Sequence, residues 1–282
     1  MTAPGDAAAH RALARDADEE TRYQAVSLLD PGDPLDRAVL LERLGDPSWR
    51  VRSAAVEQIG ASPRGAAALP RLVEVLSEGA SVGARDAAAA ALARIGAPAV
   101  APLLERLDAT DPDLRQAAAG VLGAIADRRA VAPLTARLAD PDPNVRAAAA
   151  DGLGRIGGAE ALAALRAAID SDDQTLRLSA LEALLRLGAC LPRAPMERLV
   201  ADRALRRLAY RLLGASDEPD VLALLARGLV DPARQAREAA LAALGQLRSR
   251  RAPDGLAPVL DAVRAAALGE PGLAEAWAGS LG

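Results

Sequence analysis

The 282-residue sequence has no lysine and no phenylalanine, one histidine and one cysteine, and its aromatic residues are Tyr23, Trp49, Tyr210 and Trp277. Each shortage removes chemistry. Without lysine there is neither a Schiff-base amine nor a phosphate-cradling P-loop, and all 34 basic residues are arginine. With His10 alone, no multi-histidine zinc or iron site can form, and any Ser/His/Asp triad would have to use that residue. So few aromatics cannot stack successive nucleic-acid bases. The sequence therefore predicts no cofactor, no metal site and no catalytic residues. Cys190 has no partner for an internal disulfide, which fits a reducing compartment. No uninterrupted apolar run is long enough to span a bilayer, because Arg and Asp recur every few residues. The start, Met1-Thr2-Ala3-Pro4-Gly5-Asp6, lacks the basic-then-apolar pattern of an export signal, so the expected location is the cytoplasm, away from membranes.

What the chain has in excess is alanine, 71 residues, and leucine, 45. They are arranged periodically. An arginine recurs at Arg22, Arg52, Arg85, Arg115, Arg146, Arg177, Arg206 and Arg237, in steps of 29 to 33 residues. Three positions after each stands an alanine (Ala25, Ala55, Ala88, Ala118, Ala149, Ala180, Ala209, Ala240). Alanine bias alone would give that column roughly one time in 10⁵. Seven positions after each arginine stands a large aliphatic residue (Leu29, Ile59, Leu92, Leu122, Leu153, Leu184, Leu213, Leu244). Four positions before it come Asp18, Ser48, Ser81, Asp111, Asp142, Asp173 and Asp202, with Ala233 breaking the set.

Each column has a physical reading. Ser or Asp at the fourth position upstream is a helix N-cap, whose side-chain oxygen accepts an orphan backbone N–H. The residue before the arginine, the alanine and the aliphatic residue lie four apart and make one stripe on a helix. Alanine in mid-stripe lets a neighbouring helix approach towards the short end of the usual range of roughly 8–10 Å. Gly96, Gly157 and Gly188 then stop the helix. A first helix precedes this second one in each unit, carried by residues such as Leu103, Leu104 and Leu107, or Leu162, Leu165 and Ile169. Nothing alternates with β-branched enrichment, so no strands are expected. The predicted fold is all-α, an α-solenoid of stacked antiparallel helix pairs.

Units such as Val131 to Gly158, VAPLTARLADPDPNVRAAAADGLGRIGG, resemble short bacterial HEAT repeats of the kind also found in phycobilisome lyases. The resemblance implies one armadillo-type, right-handed superhelix over residues 1–282. About eight units would run from 6 to 251, and a degenerate capping unit would fill 252–282. It also implies a role for the arginine column. In that family an Asp in the inter-helix turn and this Arg hold adjacent repeats together, and here Asp16, Asp46, Asp140 and Asp231 each precede their arginine by six. A semi-buried guanidinium at a repeat junction can meet a carboxylate and several turn carbonyls at once. The segment Gly152-Leu153-Gly154-Arg155-Ile156-Gly157 matches the dinucleotide fingerprint by letter, but it closes a helix and follows no strand.

The expected docking surface is the outward row of the second helices, taken to line a concave groove. It carries Tyr23, Glu57, Asp86, Gln116, Asp151, Glu182, Arg207, Arg211 and Glu238. Up to residue 190 there are 21 Arg against 27 acids, and from 191 onward 13 against 11. The row is therefore acidic in its middle and basic towards its C-terminal part. The sequence predicts a non-catalytic scaffold or adaptor that binds a protein partner there. Two other readings follow from the type of repeat. A phycobilin lyase or chromophore-handling subunit would need a pocket with aromatics, in which this row is poor. A nucleic-acid binder, by analogy with DNA glycosylases of HEAT-like build, is opposed by the net charge of −4. Deoxyhypusine hydroxylase, an enzyme on similar units, needs several His-Glu pairs that this chain does not have.

Overall fold

A computed structural model describes residues 4–77, 81–216, 224–225, 227–229 and 231–250. The described residues are helices joined by short turns, with no strand among them. The proposed capping unit at 252–282 lies outside the described residues. The chain divides into two compact units, residues 1–156 and 157–282.

In the first unit, helices alternate between first and second members of a pair. They are α1 (Pro4–Leu13), α2 (Glu19–Val26), α3 (Pro34–Arg43), α4 (Trp49–Ala61), α5 (Leu69–Ser77) and α6 (Val82–Ile95), followed by α7 (Val100–Arg106), α8 (Pro112–Ile125), α9 (Val131–Arg137) and α10 (Pro143–Ile156). Short 3-10 turns lead into α5, α7 and α9. Each first helix packs on its second helix, and the second helices α2, α4, α6, α8 and α10 pack on one another in chain order. The second unit repeats the scheme with α11 (Ala159–Ala168), α12 (Gln174–Arg186), α13 (Arg193–Ala201), α14 (Arg206–Leu213) and α15 (Arg234–Arg250). There α12 packs on α14, and α14 on α15. This is an all-α solenoid.

The columns of the sequence become the core. All eight alanines three after the arginines are buried, Ala55, Ala88, Ala118, Ala149, Ala180, Ala209 and Ala240 completely. So are the eight aliphatic residues seven after them, each worth about 2 kcal/mol of burial. Asp18, Ser48, Ser81, Asp111 and Asp173 cap α2, α4, α6, α8 and α12, each accepting a first-turn N–H. Asp202 departs from the pattern. Its carboxylate accepts Ala204 N–H at 2.9 Å, but residues 202–205 form a turn and α14 starts only at Arg206. The same carboxylate lies 3.0 Å from Arg177.

Helices α8 and α10 approach each other closely. A Cβ added to Gly123 would stand 2.5 Å from Gly152 Cα, so the two backbones touch where these glycines cross. Gly152, the first glycine of the fingerprint look-alike, is thus a packing residue inside a helix. Gly157, its last, takes φ +69° beyond the helix end.

Candidate docking faces

The arginine column defines which side of each second helix is committed to the fold. Arg22 donates through Nε and Nη2 to both carboxylate oxygens of Asp46, at 2.9 and 3.1 Å. Its Nη1 donates to the carbonyls of Asp16 and Ala17 in its own turn, at 3.0 and 2.9 Å. Arg115 repeats this with Asp140 (2.9 and 2.8 Å) and with the carbonyls of Ala109 and Thr110. Each Asp also accepts a backbone N–H two residues on, Ser48 for Asp46 and Asp142 for Asp140. In the second unit Arg206 lies 3.3 Å from Asp231, and Arg177 reaches Asp202 and the Ile169 carbonyl. Arg52, Arg146 and Arg237 each donate Nη1 to two carbonyls of their own turn. Asp16 accepts the Asp18 N–H.

Burial sets the electrostatics of these pairs. Asp46 and Asp140 are 3 % and 5 % exposed. For Asp46 burial raises the carboxyl pKa, but the Arg22 hydrogen bonds and the Ser48 N–H outweigh it and hold it below the ordinary value. For Asp140 the Arg115 hydrogen bonds dominate and lower it. The guanidinium pKa values of Arg22 and Arg115 are raised in turn by those same hydrogen bonds.

The opposite side of the second helices is free of such commitments. Glu57, Asp86 and Gln116 are exposed on α4, α6 and α8, and Glu182, Arg207 and Arg211 on α12 and α14. None of these six forms an ion pair or side-chain hydrogen bond with a described residue. The remaining row positions are engaged. Asp151 pairs with Arg155 at 2.8 Å, Glu238 with Arg234 at 2.8 Å, and the Tyr23 ring lies under the Arg50 guanidinium, 4.6 Å from its centroid. Between α4 and α6 runs a furrow of about 240 Å³ lined by Arg52, Ser53, Val56, Gly83, Asp86 and Ala87. Its floor is apolar and its rim carries both charges. The floor is open because α6 presents only Gly83, Ala87 and Ala90 beneath Asp86. Gly83 lets the Arg52 guanidinium lie against the helix, since a Cβ would stand 3.2 Å from its Cζ.

Other singled-out groups are occupied within the fold. The Cys190 thiol is half-buried and donates to the Ala215 carbonyl at 2.7 Å. Tyr210 is buried, and burial together with Asp231 pushes its phenol pKa up. Among the described residues no three His, Cys, Asp or Glu side chains converge as metal ligands. No single described helix is long and apolar enough to cross a membrane. The furrow between α4 and α6 was not visible in the sequence, because it depends on which small residues of two neighbouring helices face each other.

Comparisons with known proteins agree with this architecture. A family model described as HEAT repeats matches residues 7–93, 37–113 and 100–185, and one described as a HEAT repeat associated with sister chromatid cohesion matches 215–244. Among solved structures, the Escherichia coli protein YibA has 19% identity and a TM-score of 0.57 over 89% of this chain and 96% of its own. An engineered protein has 20% identity and a TM-score of 0.45 over 93% of this chain and 82% of its own. The complex of CpcE and CpcF of phycocyanin lyase from Nostoc sp. PCC7120 has 27% identity and a TM-score of 0.46 over 52% of this chain and 98% of the matched one. No curated protein matches. With repeat-family matches spanning residues 7–185, the chain belongs to the HEAT-repeat family.

Proposed function

We propose that this protein is a non-catalytic cytoplasmic scaffold that holds a segment of a partner protein against the outward faces of its second helices. The observation that carries the reading is the division of labour around each helix. The arginine, alanine and aliphatic columns are consumed by the fold, whereas Glu57, Asp86, Gln116, Glu182, Arg207 and Arg211 are exposed and make no contact that the fold requires. Recognition on such a surface comes from many polar contacts around a smaller apolar patch, and the furrow floored by Val56 and Ala87 supplies one. The reading invokes no cofactor and no nucleic acid.

The test is a double charge reversal, Glu57→Arg with Asp86→Arg, used as bait beside the wild type in affinity purification from the native host. Both residues are solvated, so the melting temperature should stay within a few degrees. A partner held on this face is recovered by the wild type and lost by the variant, with a slower, salt-sensitive association rate on purified components. Equal recovery by both baits at equal stability overturns the assignment of this face.

A further inference from the structure

Many exposed arginines among the described residues sit beside a carboxylate. Arg15 pairs with Glu42, Arg64 with Asp30, Arg71 with Glu74, Arg129 with Asp127, Arg155 with Asp151, Arg198 with Asp170 and Arg234 with Glu238. Others do not, and of these Arg94, Arg106, Arg128 and Arg227 stand apart from one another in sequence, whereas one stretch gathers three. Arg203, Arg207 and Arg211 are exposed, stand four residues apart, and form no ion pair or hydrogen bond through their side chains with a described residue. Arg203 lies in the turn before α14, and Arg207 and Arg211 lie on its outward face, about 6 Å apart along the axis. Like charges at this spacing oppose helix formation. The fold does not use them either. On α14 the inward positions are taken by Leu208, Ala209, Leu212 and Leu213, and the neighbouring Arg206 is the one that reaches Asp231. In the outward row of the other seven units, one and five residues after the ladder arginine, no unit carries two charges of the same sign.

We infer that this ridge is the docking site for an acidic segment of a partner protein. The inference rests on the scaffold reading above and adds the chemistry of the partner. A guanidinium fork takes a carboxylate in a bidentate pair, as Arg22 and Arg115 do within the fold. Carboxylates about 6 Å apart are what Glu or Asp at i and i+4 of a helix present, and alternate residues of an extended segment come close to that spacing. The width of the ridge selects a single peptide segment over a duplex nucleic acid. The helices packed on either side of α14 place carboxylates in the same row, Glu182 on α12 and Glu238 on α15, the latter held by Arg234. The strip of unpaired positive charge is therefore one helix wide. A duplex spreads its phosphates over a broader surface and would meet those acids.

The measurement is fluorescence anisotropy of a labelled 16-residue Ala/Glu peptide with Glu at i and i+4, titrated with the full chain at two salt concentrations. A labelled duplex DNA of about 20 base pairs serves as the second probe. The wild type should bind the peptide in a salt-sensitive way. Arg207→Glu with Arg211→Glu should weaken binding at least tenfold, while Arg207→Gln with Arg211→Gln should give an intermediate loss at unchanged melting temperature. Glu182→Gln should tighten binding a few-fold by removing the flanking carboxylate. Peptide binding that ignores both double variants, absence of binding by the wild type, or arginine-dependent binding of duplex in preference to peptide overturns the inference. The two readings fail separately. Loss of partner recovery with Glu57→Arg and Asp86→Arg alongside an inert ridge removes only the ridge assignment. A working ridge with indifferent Glu57 and Asp86 removes only the first-unit face.

Discussion

At the scale of single residues, Arg115 shows how one side chain closes several accounts. Its Nη1 satisfies two turn carbonyls of its own repeat, and its Nε and Nη2 bind the next repeat's Asp140, which in turn accepts the Asp142 N–H. Every partner is local except the Arg–Asp contact, which joins residues 25 apart in sequence. The arginine column and the turn Asp are both legible in the sequence, as are the caps. That an Asp serves the preceding repeat's arginine comes from the stacking. Because Asp140 is 5 % exposed, Asp140→Ala should cost about 3 kcal/mol at neutral pH by leaving a guanidinium without its carboxylate. The pH dependence has a definite sign. The folded-state pKa of Asp140 is depressed below its ordinary value of 3.8, so the contribution is fully present above that value and is lost as pH falls through the folded pKa. The melting-temperature gap between wild type and Asp140→Asn should be widest near pH 7 and shrink below about pH 4. A gap that stays constant to pH 2.5 would show that the pair contributes through shape alone.

The second helices show the same economy at the scale of the element, and one position in them is unfavourable. Four of them, α6, α8, α10 and α12, are followed by a left-handed residue eleven after the arginine of the column. Gly96, Gly157 and Gly188 fill it with φ of +75°, +69° and +61°. Ala126 occupies the equivalent place after Arg115, with φ +58°, and its N–H still closes on the Leu122 carbonyl. A Cβ in this conformation crowds the following carbonyl at roughly 1–2 kcal/mol, part of which glycine returns through its freer unfolded state. Ala126→Gly should therefore stabilise the protein by about 0.5–1 kcal/mol, read as a higher urea midpoint at unchanged slope. A lower midpoint would mean that the alanine methyl packs usefully. The sequence shows the glycine column but not that Ala126 belongs to it, because alanine elsewhere in this chain marks helix interiors. Asp202 is the opposite case. It keeps the cap register in sequence, yet in the fold it serves a turn and Arg177, and α14 begins later.

Across the molecule the arginine rungs are uneven, and in the first unit the unevenness follows from the turn residue six positions before the next arginine. Where that residue is Asp46 or Asp140, the preceding arginine is held bidentately. Where the register carries Ala109, the preceding Arg85 forms no ion pair with a described residue and is half-buried, whereas Arg22 and Arg115 are buried. The repeat architecture was readable because eight copies of one helix pair reinforce each other. The candidate docking faces were readable only in part, because exposure follows from periodicity, whereas pairing of Asp151 with Arg155 or of Glu238 with Arg234 depends on rotamers. The missing rung offers a direct check on the rule. An aspartate at 109 would accept the Asp111 N–H, as Asp46 and Asp140 accept theirs, and would turn its other oxygen to Arg85. Ala109→Asp should therefore raise stability by about 1 kcal/mol, or roughly 2–4 °C in melting temperature for a chain of this size. The gain should vanish in the combined variant Arg85→Gln with Ala109→Asp, which keeps the new turn bond and removes the ion pair. If Ala109→Asp is neutral, or equally stabilising without Arg85, the Asp acts through its own turn, and the bond between repeats rests on apolar packing alone.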